Sequence, residues 1–257
     1  GFDVWSQRIT MPTGAGVFVW NPSNPQVHHF PPIPVLRLDF SRYSGVTDAT
    51  EANRLLLRYL NQQAAKEGIE PVESFPEFIS ALASHPHNES KRVVLLIDEY
   101  DALLTANLGP ERRDVFEDLR KGFVKHFFTQ LKSVDEEILF CFVTGISAFG
   151  QTSIWSSGTQ FTDYSLDERL GAMCGFTHEE ARAIMELARI VPEDCFEEFW
   201  RVLAARYDGY RFNYNGDPVS VFNPFLVRRV VETATFVDGW AATASESVLK
   251  YIKGKTL

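Results

Sequence analysis

Arg92-Val93-Val94-Leu95-Leu96-Ile97-Asp98-Glu99-Tyr100-Asp101 is the stretch from which the rest of the chain is best read. The aliphatic run Val93–Ile97 ends abruptly in two adjacent carboxylates. So apolar a run suits a strand buried on both faces, at the centre of a parallel sheet. Ligands of such sheets bind in the crevice beyond the carboxyl ends of the strands. Asp98 and Glu99 are therefore expected where chemistry is done. The alternative is that the pair only marks a strand end and turn.

Outward from this strand the pattern alternates. Pro31-Pro32-Ile33-Pro34 is a stiff lead-in to a strand at Val35–Phe40, and a short strand is expected at Val17–Trp20 in the loop-rich segment 1–34. Asp48 and Glu51 form a capping-box pattern for a helix whose apolar face holds Ala52, Leu55, Leu56, Tyr59 and Leu60, with Gly68 as its C-cap. Ser74, Pro76 and Glu77 open a second short helix with Phe78, Ile79 and Leu82. After Asp101, expected as a cap or turn residue, the spacing of Val115, Phe116, Leu119, Phe123, Phe127 and Leu131 predicts one long amphipathic helix. A further strand, Ile138–Val143, ends in Thr144-Gly145. Strand alternating with helix is the signature of an α/β domain with a parallel sheet. From about Thr177, which forms a capping box with Glu180, the pattern becomes helix after helix, and Asn223-Pro224 reads as an N-cap with Pro at N1. The expected organisation is an α/β core over residues 1–170 and a small helical domain over 171–257.

Bulk properties narrow the function classes. With 45% hydrophobic and 13% aromatic residues the chain has ample core material. A net charge of -9 argues against broad binding to nucleic acid or anionic membranes. The three cysteines, Cys141, Cys174 and Cys195, show no metal-ligand spacing, and an intracellular, cytoplasmic setting is the default expectation. No stretch has the length of a membrane span and no signal-peptide pattern is present. The histidines fall in polar or Pro-rich loops without the spacing of a zinc helix.

Asp98-Glu99 at the end of an apolar strand has the form of a Walker B motif. In that motif the Asp holds Mg²⁺, usually through water, and the Glu polarises the attacking water. Thr144 ends the neighbouring strand, where a hydroxyl can sense a terminal phosphate or the attacking water; the alternative is a plain Thr-Gly turn. Arg211, in Tyr207-Asp208-Gly209-Tyr210-Arg211-Phe212-Asn213, suits bidentate phosphate contact, with a C-cap Gly among packing aromatics as the alternative. A phosphate loop is what the chain lacks. Gly254-Lys255-Thr256 has Leu249 where the pattern needs Gly, follows no strand and lies after the acidic strand; Gly14-Ala15-Gly16 lacks the Lys.

Three stretches together resemble the AAA-ATPase-like family of P-loop proteins: Val93–Leu104 (VVLLIDEYDALL), Phe142–Phe176 and Tyr207–Pro224 (YDGYRFNYNGDPVSVFNP). Trp240–Leu249 looks like the family's segment just past the lid, and the resemblance spans about residues 33–250. It implies a P-loop-NTPase-like parallel sheet flanked by helices, followed by a helical lid domain. It also implies ATP and Mg²⁺ as cofactors, Asp98 as the Mg²⁺ ligand, Glu99 as the catalytic acid, Thr144 as the sensor and a protein partner. Family members carry the phosphate loop on a strand-helix unit before the strand matching Val35–Phe40. Because the chain starts with Gly1, the simplest expectation is a piece that begins downstream of that loop, with true loss as the alternative. The family's basic residues near Ala148 and Gln151 are also missing. The function expected for the intact protein is ATP binding and Mg-dependent hydrolysis driving a conformational switch. The alternatives are a pseudo-ATPase interaction scaffold and, from a third class, a metal-dependent hydrolase using Asp98, Glu99 and Asp39.

Overall fold

A computed structural model describes residues 33–147, 161–211 and 220–236. The expected strand at 17–20, the positions of Ala148 and Gln151, and the segment 240–256 lie outside these residues. The chain divides into two compact units, residues 1–159 with 246–257 and residues 160–245.

The first unit is built on three parallel strands in the order β1 (Val35–Asp39), β2 (Val93–Asp98) and β3 (Ile138–Val143). Between β1 and β2 run helices α1 (Ala49–Lys66) and α2 (Phe75–Ser84), and between β2 and β3 run α3 (Ala102–Ala106), α4 (Arg113–Asp118) and α5 (His126–Lys132). Such helical crossovers are what parallel pairing requires. The local sequence signals are met at the first two helices. Asp48 accepts the Glu51 amide, Ser74 accepts the Glu77 amide, and Gly68 takes φ +69 just past α1.

One face of the sheet is dry. Leu36 and Leu38 of β1 lie in register with Leu95 and Ile97 of β2, and all four are buried with Leu56, Leu60, Phe78, Ile79, Phe123 and Phe127. Phe40 anchors this core through ring contacts at 5.4 Å to Phe123 and 5.2 Å to Phe127. The opposite face differs from the expectation of a strand buried on both sides. Val94 and Leu96 of β2 are only half-buried, and their register partners on β3, Phe140 and Phe142, are 54% and 43% exposed. Phe140 and Phe142 stack on each other at 6.3 Å with ring planes 9° apart. The physical reason is that the buried core lies on one side only; among the described residues, apolar packing on the other side stops at the strands themselves.

The single long helix expected after Asp101 is instead interrupted. A π-helical segment, Leu119–Lys125, separates α4 from α5, while the predicted residues Leu119, Phe123, Phe127 and Leu131 still face the core. The widened turn brings the segment against α1. Asp118 Oδ2 accepts the Ala49 amide at 2.8 Å and the Gly122 carbonyl accepts Asn53 Nδ2 at 3.0 Å.

The second unit carries α6 (His178–Ala188), α7 (Phe196–Tyr207), the antiparallel pair β4 (Asp208–Arg211) and β5 (Ser220–Phe222), and α8 (Pro224–Thr233). The hairpin corrects the helix-after-helix reading. Gly209 is a strand residue with φ +135 at a register shift, where a helix C-cap was the alternative. Apolar side chains of the three helices and β5, among them Met185, Trp200, Leu203, Phe222 and Val227, make one core. The Thr177/Glu180 capping box and the Asn223 cap with Pro224 behind it are both formed.

A Cβ at Gly122 would stand 2.7 Å from the Ala49 Cβ. Gly122→Ala is therefore expected to lower stability by about 1 kcal/mol net, an overpacking cost of about 1–3 kcal/mol outweighing the helix-propensity gain of about 1 kcal/mol. Urea unfolding checks this; a variant as stable as the parent would show that α1 moves freely off the π segment.

Candidate functional site

Pairing between β2 and β3 continues past the last strand residues. Thr144 donates its amide to the Ile97 carbonyl at 2.8 Å, and Tyr100 donates its amide to the Thr144 carbonyl at 3.0 Å. These two bonds set Thr144 directly beside Asp98. The Thr144 hydroxyl donates to Asp98 Oδ1 at 2.8 Å, and from the other side Arg37 Nη2 of β1 meets Asp98 Oδ2 at 2.9 Å. Asp39 is the register partner of Asp98, but its oxygens turn to β1's own continuation. Oδ1 accepts the Ser41 amide at 3.1 Å and hydroxyl at 2.5 Å, and Oδ2 lies 3.5 Å from Arg42 Nε.

The two adjacent acids are pushed in opposite directions. The Thr144 hydrogen bond, then that of the Arg37 guanidinium and its charge, outweigh burial and hold Asp98 below the usual carboxylate range. Glu99 is held above its range, first by burial and then by the negative charges of Asp98, Asp39 and Asp101. Glu99 also sits at φ +51, a left-handed conformation uncommon for a residue with a Cβ and found at functional strand ends. A carboxylate kept ionised beside one made more basic is the division of labour that metal-assisted water attack requires.

Asp101 stands at the N-cap of α3, as a cap or turn residue would, and its carbonyl accepts the Leu104 and Thr105 amides, but its side chain makes no capping bond there. Only 1% exposed, it accepts the Ile146 amide at 3.2 Å and the Ser147 amide at 2.7 Å, and the Tyr100 hydroxyl donates to the Ser147 carbonyl at 2.5 Å. The loops after β2 and β3 are thereby clamped together. Gly145 makes this possible, since a Cβ there would fall 2.6 Å from both Asp101 Oδ1 and the Tyr100 ring.

Of the residues singled out in the sequence, the structure brings Asp98, Glu99 and Thr144 to one strand end. Arg211 lies in the second unit, exposed at the end of β4. Arg37 and Asp101 were missed as parts of the site. Their signals were an Arg inside an otherwise apolar strand and a third acid three residues after Asp98. Among the described residues no group of three or more His, Cys, Asp or Glu is gathered to hold a metal. A self-sufficient metal centre of Asp98, Glu99 and Asp39 is thus not assembled, because Asp39 is spent on Ser41 and Arg42. Oxygen donors from Asp98, Glu99 and Thr144 suit magnesium in a different way. That ion keeps several waters and takes only one or two protein carboxylates when a phosphate shares it.

A profile of the AAA-ATPase-like family, described as Predicted AAA-ATPase, matches residues 16–155. The chain belongs to that family. The match covers all three strands of this AAA-ATPase-like chain, including the clamp between Asp101 and the loop after β3. A curated relative, an uncharacterized protein in the vnfD 5' region of Azotobacter chroococcum mcd 1, is 27% identical over 220 residues, 84% of this chain. The chain spans 40% of that relative's length. No solved structure matches this chain significantly. No helix among the described residues is long and apolar enough to cross a membrane.

Opposite pH signatures are expected at the two acids. Asp98, lowered in the folded state, contributes stability that is present above its ordinary value of 3.8 and lost as pH falls through the folded value. Asp98→Asn should then melt about 2–4 °C lower at neutral pH, from a loss of about 1 kcal/mol, and the gap should narrow in acid as pH falls below the ordinary value of 3.8. For Glu99 the sign reverses: its raised value means stability is full below 4.5 and falls as pH rises through the folded value. Glu99→Gln should melt higher than the parent at neutral pH and alike in acid. Thermal melts across pH decide; parallel shifts for both variants would contradict the geometry.

Proposed function

We propose that this strand end is the magnesium and water-activating half of an ATP site, and that the intact protein binds ATP and hydrolyses it to drive a conformational switch. The observation that carries the reading is the Thr144 hydroxyl on the Asp98 carboxylate with Glu99 next in sequence. In this reading Asp98 holds the magnesium through water, Glu99 takes the proton of the attacking water, and Thr144 fixes Asp98 and senses the terminal phosphate. Magnesium supplies charge neutralisation on the phosphates when bound. Arg211 is proposed as a phosphate contact.

In this reading the phosphate-binding half is supplied by a strand-helix unit that carries a Gly-Lys-Ser/Thr loop. The half-bare sheet face supports that: parallel sheets are covered on both faces, and here Val94, Leu96, Phe140 and Phe142 are not. A further strand and helix bearing a Gly-Lys-Ser/Thr loop would pair with the outer edge of β3 and cover those side chains. The protein partner that receives the switch, and an intracellular setting, belong to the same proposal.

A second reading, a pseudo-ATPase scaffold, rests on one observation of its own: the 257 residues hold no complete phosphate loop. Calorimetry with Mg-ATP separates the two. This chain alone is expected to bind weakly or not at all, and a longer protein with the N-terminal strand-helix unit to bind with Mg²⁺ dependence. In the longer protein Glu99→Gln should spare binding and cut turnover by roughly a hundredfold or more, while Asp98→Ala should impair Mg²⁺-dependent binding. Equal hydrolysis by Glu99→Gln and the parent would remove the role given to Glu99. Binding by neither protein would establish the scaffold.

A further inference from the structure

Arg37 is out of place by composition. Its strand neighbours Leu36 and Leu38 are buried core residues, yet Arg37 occupies the alternate face, in register with Leu96, and reaches along the sheet to Asp98. The strand beneath it is held in place, since the Tyr59 hydroxyl of α1 donates to the Arg37 carbonyl at 2.9 Å. The Asp98 carboxylate is occupied at both ends, by Thr144 on Oδ1 and Arg37 on Oδ2. These two partners are not equivalent. A neutral hydroxyl leaves the charge of Asp98 available to a cation and helps orient it. A guanidinium cancels that charge and repels any second positive ion at the same oxygen, most strongly a doubly charged one.

We propose that Arg37 is a resident counter-cation that keeps divalent metal off Asp98 until it is displaced, an autoinhibitory contact built into β1. The inference rests on the reading of Asp98 as the magnesium position. Two further features of the pair fit the role. Both partners are part-exposed, 37% for the Arg37 side chain and 44% for Asp98, so the ion pair is reached by solvent and by arriving ligands. The pair also lies on the half-bare face of the sheet, alongside Leu96, where a newly docked segment or phosphate group would arrive. A phosphate is itself a strong acceptor for a guanidinium. Nucleotide arrival and Arg37 release would thereby be coupled, and the acidic strand end would stay neutralised in the absence of ligand.

The test uses Mn²⁺ alone as probe, with the full chain, no nucleotide, and electron paramagnetic resonance to count free ion. Arg37→Gln is expected to bind Mn²⁺ about tenfold more tightly than the parent, the size of effect that goes with removing one adjacent positive charge. Arg37→Lys, which keeps the charge, should stay with the parent, and adding Asp98→Asn to Arg37→Gln should abolish the gain. Circular dichroism melts confirm that each variant is folded. Binding by Arg37→Gln no tighter than the parent, absent in both, or unaffected by Asp98→Asn overturns the proposal. The outcome is separable from that of the nucleotide reading: a Mn²⁺ gain at Asp98 together with no Mg-ATP binding by the longer protein would sink the ATPase alone.

Discussion

The hydrogen bond from Thr144 to Asp98 exists because two backbone bonds carry the β2–β3 ladder one step beyond the strands, from Thr144 to Ile97 and from Tyr100 to Thr144. Everything proposed for the site depends on that extension. Without it the loops after β2 and β3 would diverge, and Asp98 and Thr144 would be separate surface residues. The extension is secured one layer deeper by Asp101, a nearly fully buried carboxylate whose oxygens are satisfied by the Ile146 and Ser147 amides. Burying a charge is tolerable only when it is hydrogen-bonded in this way. Gly145 is the spacer that lets the carboxylate and the Tyr100 ring come so close.

Much of this was legible in the sequence, and the illegible part has a physical pattern. The strands at Val35, Val93 and Ile138 and the caps at Asp48, Ser74, Thr177 and Asn223 are local signals, and each formed where its residues indicated. What failed was tertiary. Apolar periodicity locates the face of a helix but does not register a π turn, which is set by how Asp118 and Gly122 meet Ala49 and Asn53 on another element. The Asp208–Arg211 strand was hidden because its pairing partner, Ser220–Phe222, is short and separated from it in sequence by residues 212–219. The partners of Asp98 divide in the same way. Thr144 could be named from its place at a strand end, whereas Arg37 is 61 residues from Asp98 in sequence and meets it only through register.

The sheet's two faces also explain why family membership and activity are different statements here. The packed face, with its Phe-rich core under β1 and β2, specifies the AAA-ATPase-like core, and the family match spans it. The other face leaves stacked Phe140 and Phe142 in water, an arrangement that parallel strands and large apolar side chains both disfavour. Asp98, Thr144 and Arg37 line the carboxyl end of that same face. The exposed phenylalanines and the arginine-capped aspartate thus belong to one surface.

The most direct measurement is a crystal structure of a form of the protein that carries the proposed phosphate loop, grown with Mn²⁺ and a non-hydrolysable ATP analogue. The account predicts an anomalous manganese peak beside Asp98, the terminal phosphate facing Thr144 and Glu99, and Arg37 turned away from Asp98. Nucleotide or manganese bound elsewhere, with Arg37 still paired to Asp98, would contradict it.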